Sequence, residues 1–346
     1  NASARWPSPS TGSTMPPMPG AWIIMLQEVI AVFGVAVVGF VVRRAGVLTE
    51  AADRSLLRLI IAVLMPCLVF DNIVGNPALL EAKNVVIPPL VGFGTLTLGF
   101  AVAWLVSGKL REAIQLRTPE QRRTFTVGVG LYNYGYVPIP LAVALFSKQT
   151  LGVLFVHNLG VEVGIWTLAV IIFTGGLQPG WWKHVLNPPV VAIVTALAIN
   201  FSGVIDYIPA PVGYSVGKLV HMLAVCAIPV ALLLIGATVA DHFREANLLR
   251  YWRLVSAACV LRLALLPAAF LAIAYLGRHV FSLDLQQVMV IEAAMPAATF
   301  PVVMSRLYHG DPPTAVQVTL GTSLVGLVTI PLWLSSGAWL LGLAVR

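Results

Sequence analysis

Ten stretches dominated by apolar residues run along the chain, at roughly 22–42, 55–75, 85–106, 124–146, 151–175, 187–205, 215–240, 254–277, 286–307 and 314–341. Each is long enough to cross about 30 Å of hydrocarbon as a helix. The connections are short and leave no room for a soluble domain between spans. Residues 1–20 are rich in Ser, Pro and small side chains without an apolar h-region, and are expected to form a disordered tail rather than a signal peptide.

Helix-breaking residues fall at matching places in the two halves of this pattern. The second run carries Met65-Pro66 and the seventh carries Ile228-Pro229. The fourth is interrupted at Asn133-Tyr134-Gly135-Tyr136-Val137-Pro138-Ile139-Pro140, and the ninth at Met295-Pro296-Ala297-Ala298-Thr299-Phe300-Pro301. The second and fourth runs of each set of five therefore share one kind of break. Five is odd, so the second set must enter the membrane upside down. The predicted fold is an all-α membrane protein of about ten transmembrane helices, built as two inverted five-helix repeats at 21–176 and 183–346, with helices four and nine broken and crossed.

A proline lacks an N–H and clashes with the preceding turn, and backbone groups freed in hydrocarbon cost several kcal/mol if unmet. Such breaks persist where protein, water or ligand satisfies them. Interrupted segments at corresponding positions of two halves point to a transporter binding site. Pro138 and Pro301 would each open a new half-helix, and two half-helix N-termini meeting near the midplane favour a carboxylate. Asn133 adds an amide beside them. The candidate substrate-binding residues are Asn133, Tyr134, Gly135, Pro138 and Pro140 on one break, and Pro296, Ala297, Thr299 and Pro301 on the other. Met65, Pro66 and Pro229 are expected to line the facing helices. In a single run, the same prolines would read as ordinary kinks and Asn133 as a backbone cap; the pairing favours a site.

Composition supports a lipid-embedded chain. It is 58% hydrophobic and 10% charged, with a mean hydropathy of +0.89, against roughly a quarter charged in soluble domains. The net charge of +7 comes from Lys and Arg in short loops, with no basic stripe interleaved with aromatics, which excludes nucleic acid as the partner. The basic residues crowd the odd-numbered connections: Arg43, Arg44, Arg54 and Arg58; Lys109, Arg111, Arg117, Arg122 and Arg123; Arg244, Arg250 and Arg253. The other side has single residues such as Lys83, Lys148, Lys218 and Arg278. The odd connections are predicted to be cytoplasmic and both termini extracytoplasmic. Trp181-Trp182 before Lys183 reads as an interfacial anchor. Cys67, Cys226 and Cys259 all fall in apolar runs without pairing or metal-ligand spacing, and are expected to be small buried residues.

Several polar side chains fall inside the runs. Glu162 follows His157 and Asn158 by about one turn; the three form a candidate coupling or support site for a proton or Na+, with a structural hydrogen-bonding role for Glu162 as the alternative. Arg262 is expected to snorkel to the cytoplasmic face. Glu292, four residues before Pro296, suits either the outer interface or a counter-charge. Glu28 and Asp71 are expected at interfaces. Catalytic carboxylate pairs, phosphate loops and HExxH or GxSxG motifs are missing from the sequence, so neither an enzyme nor a cofactor or metal site is expected.

From about Val29 to Trp339 the chain resembles the auxin efflux carrier family, within the bile acid/arsenite/riboflavin transporter superfamily. GVAVVGFVVRRAGVLTEAADRSLLRLIIAVLMPCLVFDNI is similar to that family's first two helices, GLYNYGYVPIPLAVALF to its fourth and LNPPVVA to the start of its sixth. EAAMPAATFPVVMSRLYHGDPPTAVQVTLGTSLVGLVTIPLW is similar to its last two. The resemblance implies an elevator-type carrier for small organic anions, with helices 1, 2, 6 and 7 as scaffold and 3–5 and 8–10 as mobile core. It implies that Asn133 and the N-terminus following Pro296 contact the substrate carboxylate, and that Glu162 belongs to a supporting site. Pro138 departs from the pattern by standing where Gly is usual, and the long cytoplasmic loop of many plant members is missing. Malonate-like acids and auxin both fit. The leading reading is a carrier for an organic anion in the lipid bilayer, with a homodimer through the scaffold helices left open. A receptor with a carrier fold and a sodium- or proton-coupled exchanger using Glu162 stand as alternatives.

Overall fold

A computed structural model describes residues 18–242 and 247–345, and every element in them is helical. The predicted tail up to residue 17, and Arg244, lie outside the described residues. The helices are α1 (Met18–Arg44), α2 (Glu50–Ile73), α3 (Lys83–Lys109), α4 (Pro119–Gly130), α5 (Pro138–Leu145), α6 (Lys148–Thr174), α7 (Pro188–Ser202), α8 (Ala210–His242), α9 (Trp252–Leu276), α10 (Leu283–Ala294), α11 (Phe300–Leu307) and α12 (Pro312–Leu341). A helical turn at Trp181–Val185 precedes α7.

Local chemistry sets several of the starts. Thr118 and Gln121 form a reciprocal capping box ahead of α4. Ser147, Asn187, Ser282 and Asp311 accept from the third residue beyond at the starts of α6, α7, α10 and α12. Pro is the first or second helical residue in α4, α5, α7, α11 and α12, where a missing N–H costs little.

Seven of these helices, α1, α2, α3, α6, α8, α9 and α12, are long and apolar enough to cross a membrane. The chain is a multi-pass integral membrane protein. The other three apolar runs do not give single full-length helices. The fourth run divides into α4 and α5, and the ninth into α10 and α11. The sixth gives α7, whose 15 residues reach only about 22 Å.

The expected breaks in the second and seventh runs are not found. The sequence around Pro66 stays helical because a π-helical stretch, Ile60–Leu64, precedes it, with the Met65 N–H reaching back to the Ile60 carbonyl. The wider turn absorbs the extra bulk of the ring. Leu261–Leu265 stands in the same relation to Pro267 in α9. Pro229 lies inside a continuous α8. The number of prolines does not separate these cases, since α3 carries Pro88 and Pro89 within a continuous helix; in the fourth and ninth runs Pro138, Pro140 and Pro301 open new half-helices and Pro296 lies in the connector.

Helices α1 and α8 pack along much of their length, as do α3 and α6. Glycines permit both approaches: a Cβ on Gly236 would collide with the Ala36 carbonyl, and one on Gly160 with the Pro89 carbonyl. Helix α2 packs on α7 and α8, α4 and α10 pack on α12, and α6 touches α10. The outer surface carries many exposed apolar side chains, such as Ile30, Leu90, Leu219 and Trp339, as lipid contact requires. The cysteines follow the same logic and correct their expected burial. Cys226 is exposed and Cys67 and Cys259 are half-buried, all as free thiols, because lipid does not drive an apolar residue inward.

Candidate functional site

The interruptions in the fourth and ninth runs meet in the interior. Residues 131–137 and 295–299 leave the helical path and pair as an isolated antiparallel bridge between Tyr132 and Ala297. The Asn133 N–H donates to the Pro296 carbonyl, and the Ala298 N–H to the Leu131 carbonyl, both at 2.9 Å. Each break satisfies the other's backbone, which answers the cost of unmet groups in hydrocarbon.

Side chains from the long helices hold both connectors. Thr322 accepts the Ala297 N–H at 3.1 Å, and Thr319 donates to the Ala298 carbonyl at 2.8 Å. Asn158 of α6 donates to the Tyr134 carbonyl at 2.7 Å, and Thr95 of α3 bonds the Tyr132 hydroxyl at 3.0 Å. Half-helix α5 then starts at Pro138, and α11 at Phe300 with Pro301 second. The N-terminus of α5 has few donors to offer, because Pro138 and Pro140 lack N–H groups and the Ile139 N–H is given to Gly135. Among the described residues, the amides of Gly135, Tyr136, Thr299 and Phe300 make no hydrogen bond.

A cavity of about 600 Å³ opens beside the paired connectors. Its wall includes Asn133, Tyr134, Gly135, Tyr136, Thr299 and Phe300. Met65, Val69, Ile193, Leu234 and Ile235 form its opposite wall, and it reaches Arg54 and Arg306 at one end of the bundle. The predicted site residues thus divide. Asn133, Tyr134, Gly135 and Thr299 line the cavity with Met65, Asn158 and Glu162, whereas Pro138, Pro140, Pro296, Ala297 and Pro301, and the kink prolines Pro66 and Pro229, stand outside its lining.

Glu162 is held by three hydrogen bonds at the cavity wall. One carboxylate oxygen accepts from the Tyr134 hydroxyl at 2.9 Å; the other accepts from Trp166 Nε1 and Asn187 Nδ2, each at 3.1 Å. The Trp166 indole lies between His184, stacked at 4.7 Å, and Phe300, edge-on at 5.7 Å. His157 does not join this group. It is fully buried, bonds Asn158 Oδ1 at 3.3 Å through Nδ1, and packs on Gly92 of α3.

Arg262 does not snorkel. Its exposure is 0%, and Nε donates to the Met295 carbonyl at 3.1 Å, because the π turn in α9 directs it to the connector rather than along the helix. Glu292 is buried too, at 1% exposure. Asp71, half-buried, meets His221 at 3.2 Å and Lys148 at 3.8 Å. The contributions of Trp166, Asn187, Phe300, Thr319 and Arg306 to the wall are absent from the sequence-based candidates. Trp166 had a signal, its i+4 spacing from Glu162.

A largely apolar cavity with a few polar groups, set between paired interruptions of a membrane bundle, suits a carrier, and comparison with known families decides the point. The sequence matches the family described as "Membrane transport protein" over residues 24–180 and 177–334. The chain belongs to the auxin efflux carrier-like membrane transport family. It is similar to an uncharacterized transporter of Methanothermobacter thermautotrophicus, with 24% identity over 89% of this chain and 96% of that one. It is also similar to an uncharacterized transporter of Methanocaldococcus jannaschii, with 22% identity over 90% of this chain and 98% of that one. Family membership covers the two paired connectors and the cavity residues between them up to Leu320, which all fall inside the matched residues.

Proposed function

We propose that this protein is a secondary carrier that moves a small organic anion across the membrane by an elevator-type displacement, with the substrate held where the fourth and ninth segments cross. The observation that carries the reading is the cavity at the paired connectors. Asn133 lines it with Gly135, Tyr136, Thr299 and Phe300, whose amides make no hydrogen bond among the described residues, and donors of this kind suit a carboxylate.

On this reading α4–α5 and α10–α11 are each one interrupted span. With α7 as a short span the chain has ten, arranged as two inverted sets of five. Helices α1, α2, α7 and α8 are the scaffold, and the remaining helices carry the substrate. The excess of Arg and Lys on the odd connections supports a cytoplasmic position for Arg54 and Arg306, with both termini outside; the cavity then faces inward. A substrate carboxylate near Asn133 shares the cavity with Glu162, so a proton held between them would offset their repulsion, and we assign Glu162 the coupling role.

The test is counterflow of labelled mono- and dicarboxylates in liposomes containing the purified protein. Saturable flux of one acid, competed by its relatives, is expected, and Asn133→Ala is expected to abolish it while the protein stays folded. Normal flux in that variant would sink the proposed site. A folded wild-type protein that moves none of these acids would favour a receptor.

A further inference from the structure

Arg262 is the largest fully buried side chain among the described residues, and the substrate site does not use it. Its guanidinium donates through Nε to the Met295 carbonyl at 3.1 Å and through Nη2 to the Ala293 carbonyl at 3.5 Å. These carbonyls close the C-terminal end of α10, where unpaired acceptors and the helix dipole leave partial negative charge. Glu292 sits in the same turn, and neither of its carboxylate oxygens has a hydrogen-bond partner among the described residues. The rings of Tyr132 and Phe270 face the guanidinium, with centroids at 5.3 Å and 5.2 Å. Tyr132 is also the residue that bridges to Ala297.

Two main-chain carbonyls and two π faces around the guanidinium, with the buried Glu292 carboxylate in the adjoining turn beyond ion-pair distance, make a cation site. In carriers with discontinuous helices, a coupling ion sits at such half-helix C-termini and unwound carbonyls. In this protein the cation is part of the chain.

We propose that Arg262 is a tethered cation: its guanidinium permanently fills, at the end of α10, the kind of place that a mobile sodium ion takes in coupled carriers. The pairing of the two connectors is then independent of sodium, and Arg262 acts as a positioning residue for the crossing. Removing it would leave the Glu292 carboxylate and the helix end without a counter-charge, a strongly destabilising change for buried groups. A small cation of the right size should be able to replace it. The consequence for transport rests on the carrier reading; the chemistry of the cluster does not.

The experiment is thermal unfolding of the purified protein in detergent, in sodium, potassium or choline chloride at equal ionic strength. The wild type is expected to unfold at one temperature in all three. Arg262→Ala in choline is expected to unfold roughly 5–10 °C lower, and to regain most of that loss saturably with sodium or with millimolar methylguanidinium. The double variant Arg262→Ala/Glu292→Ala is expected to regain none. Saturable stabilisation of the wild type by sodium would overturn the proposal, as would a folded Arg262→Ala that responds to no cation. Where Arg262→Ala fails to fold, Arg262→Lys decides: it keeps a tethered charge and must remain indifferent to sodium, and a sodium-dependent unfolding temperature in that variant overturns the assignment. The readout needs no substrate, so its failure leaves the Asn133 flux test standing, and failure of the flux test leaves this one standing.

Discussion

Glu162 gathers donors from three parts of the chain: Tyr134 on the first connector, Trp166 one turn along its own helix, and Asn187 at the start of α7. Hydrogen bonds to a charged group are worth about 1.5–3 kcal/mol each. On the proposed division Asn187 belongs to the scaffold and the other two to the moving part, so displacement of the core must break the Asn187 bond and leave the others intact. Glu162→Gln keeps the shape but cannot exchange a proton. Its counterflow is expected to fall about tenfold, the equivalent of one weakened charge-assisted bond at the barrier, and the remaining flux should ignore an imposed pH gradient. Unchanged flux with an intact gradient response would remove Glu162 from the coupling step. A lone carboxylate in an apolar run marks itself in the sequence. Asn187 does not: it reads as an ordinary helix cap, and only tertiary packing brings it across 25 positions to the carboxylate.

At the scale of elements, the path of the chain beyond each proline separates a kink from a site. Pro66, Pro229 and Pro267 lie in helices that continue, the first and last behind a π turn; Pro138 and Pro301 begin new helices after an extended connector. The sequence marks all of them but Pro267 as disturbances. It separates them poorly, because the outcome depends on whether another segment is at hand to bond the freed backbone, as residues 131–133 and 296–298 are for each other. Glycine contacts are equally tertiary. Gly160 of α6 faces the Pro89 carbonyl so closely that any Cβ must push α3 and α6 apart. Overpacking of this kind costs about 1–3 kcal/mol, so Gly160→Ala is expected to lower the unfolding temperature in detergent by roughly 2–10 °C. Gly34 of α1, with open space where its Cβ would go, is the control, and Gly34→Ala should unfold as the wild type does. Equal temperatures for both variants would show that α3 and α6 can separate without cost.

Across the whole molecule, hydropathy and charge located nearly every helix, and the shortfall lies in length. Seven runs became spanning helices; the fourth and ninth are interrupted where the sequence marks a break, and the sixth falls short because its helix ends after 15 residues. Orientation rests on charge alone, and the cavity makes it testable. Val303 lies in the cavity wall near Arg306 and is 57% exposed; Leu80, between α2 and α3, is 56% exposed at the other end of the bundle. In a background with Cys67, Cys226 and Cys259 replaced by Ser, Val303→Cys should react with a membrane-impermeant maleimide only when the reagent is on the cytoplasmic side. Leu80→Cys should react only from outside. The opposite pattern would invert the topology and turn the cavity outward. Reaction of Val303→Cys from neither side would mean that the cavity closes in the membrane. A substrate that enters it should then protect Val303→Cys and leave Leu80→Cys untouched, because filling the space beside the connectors blocks the reagent's path to α11 without reaching the far end of α2.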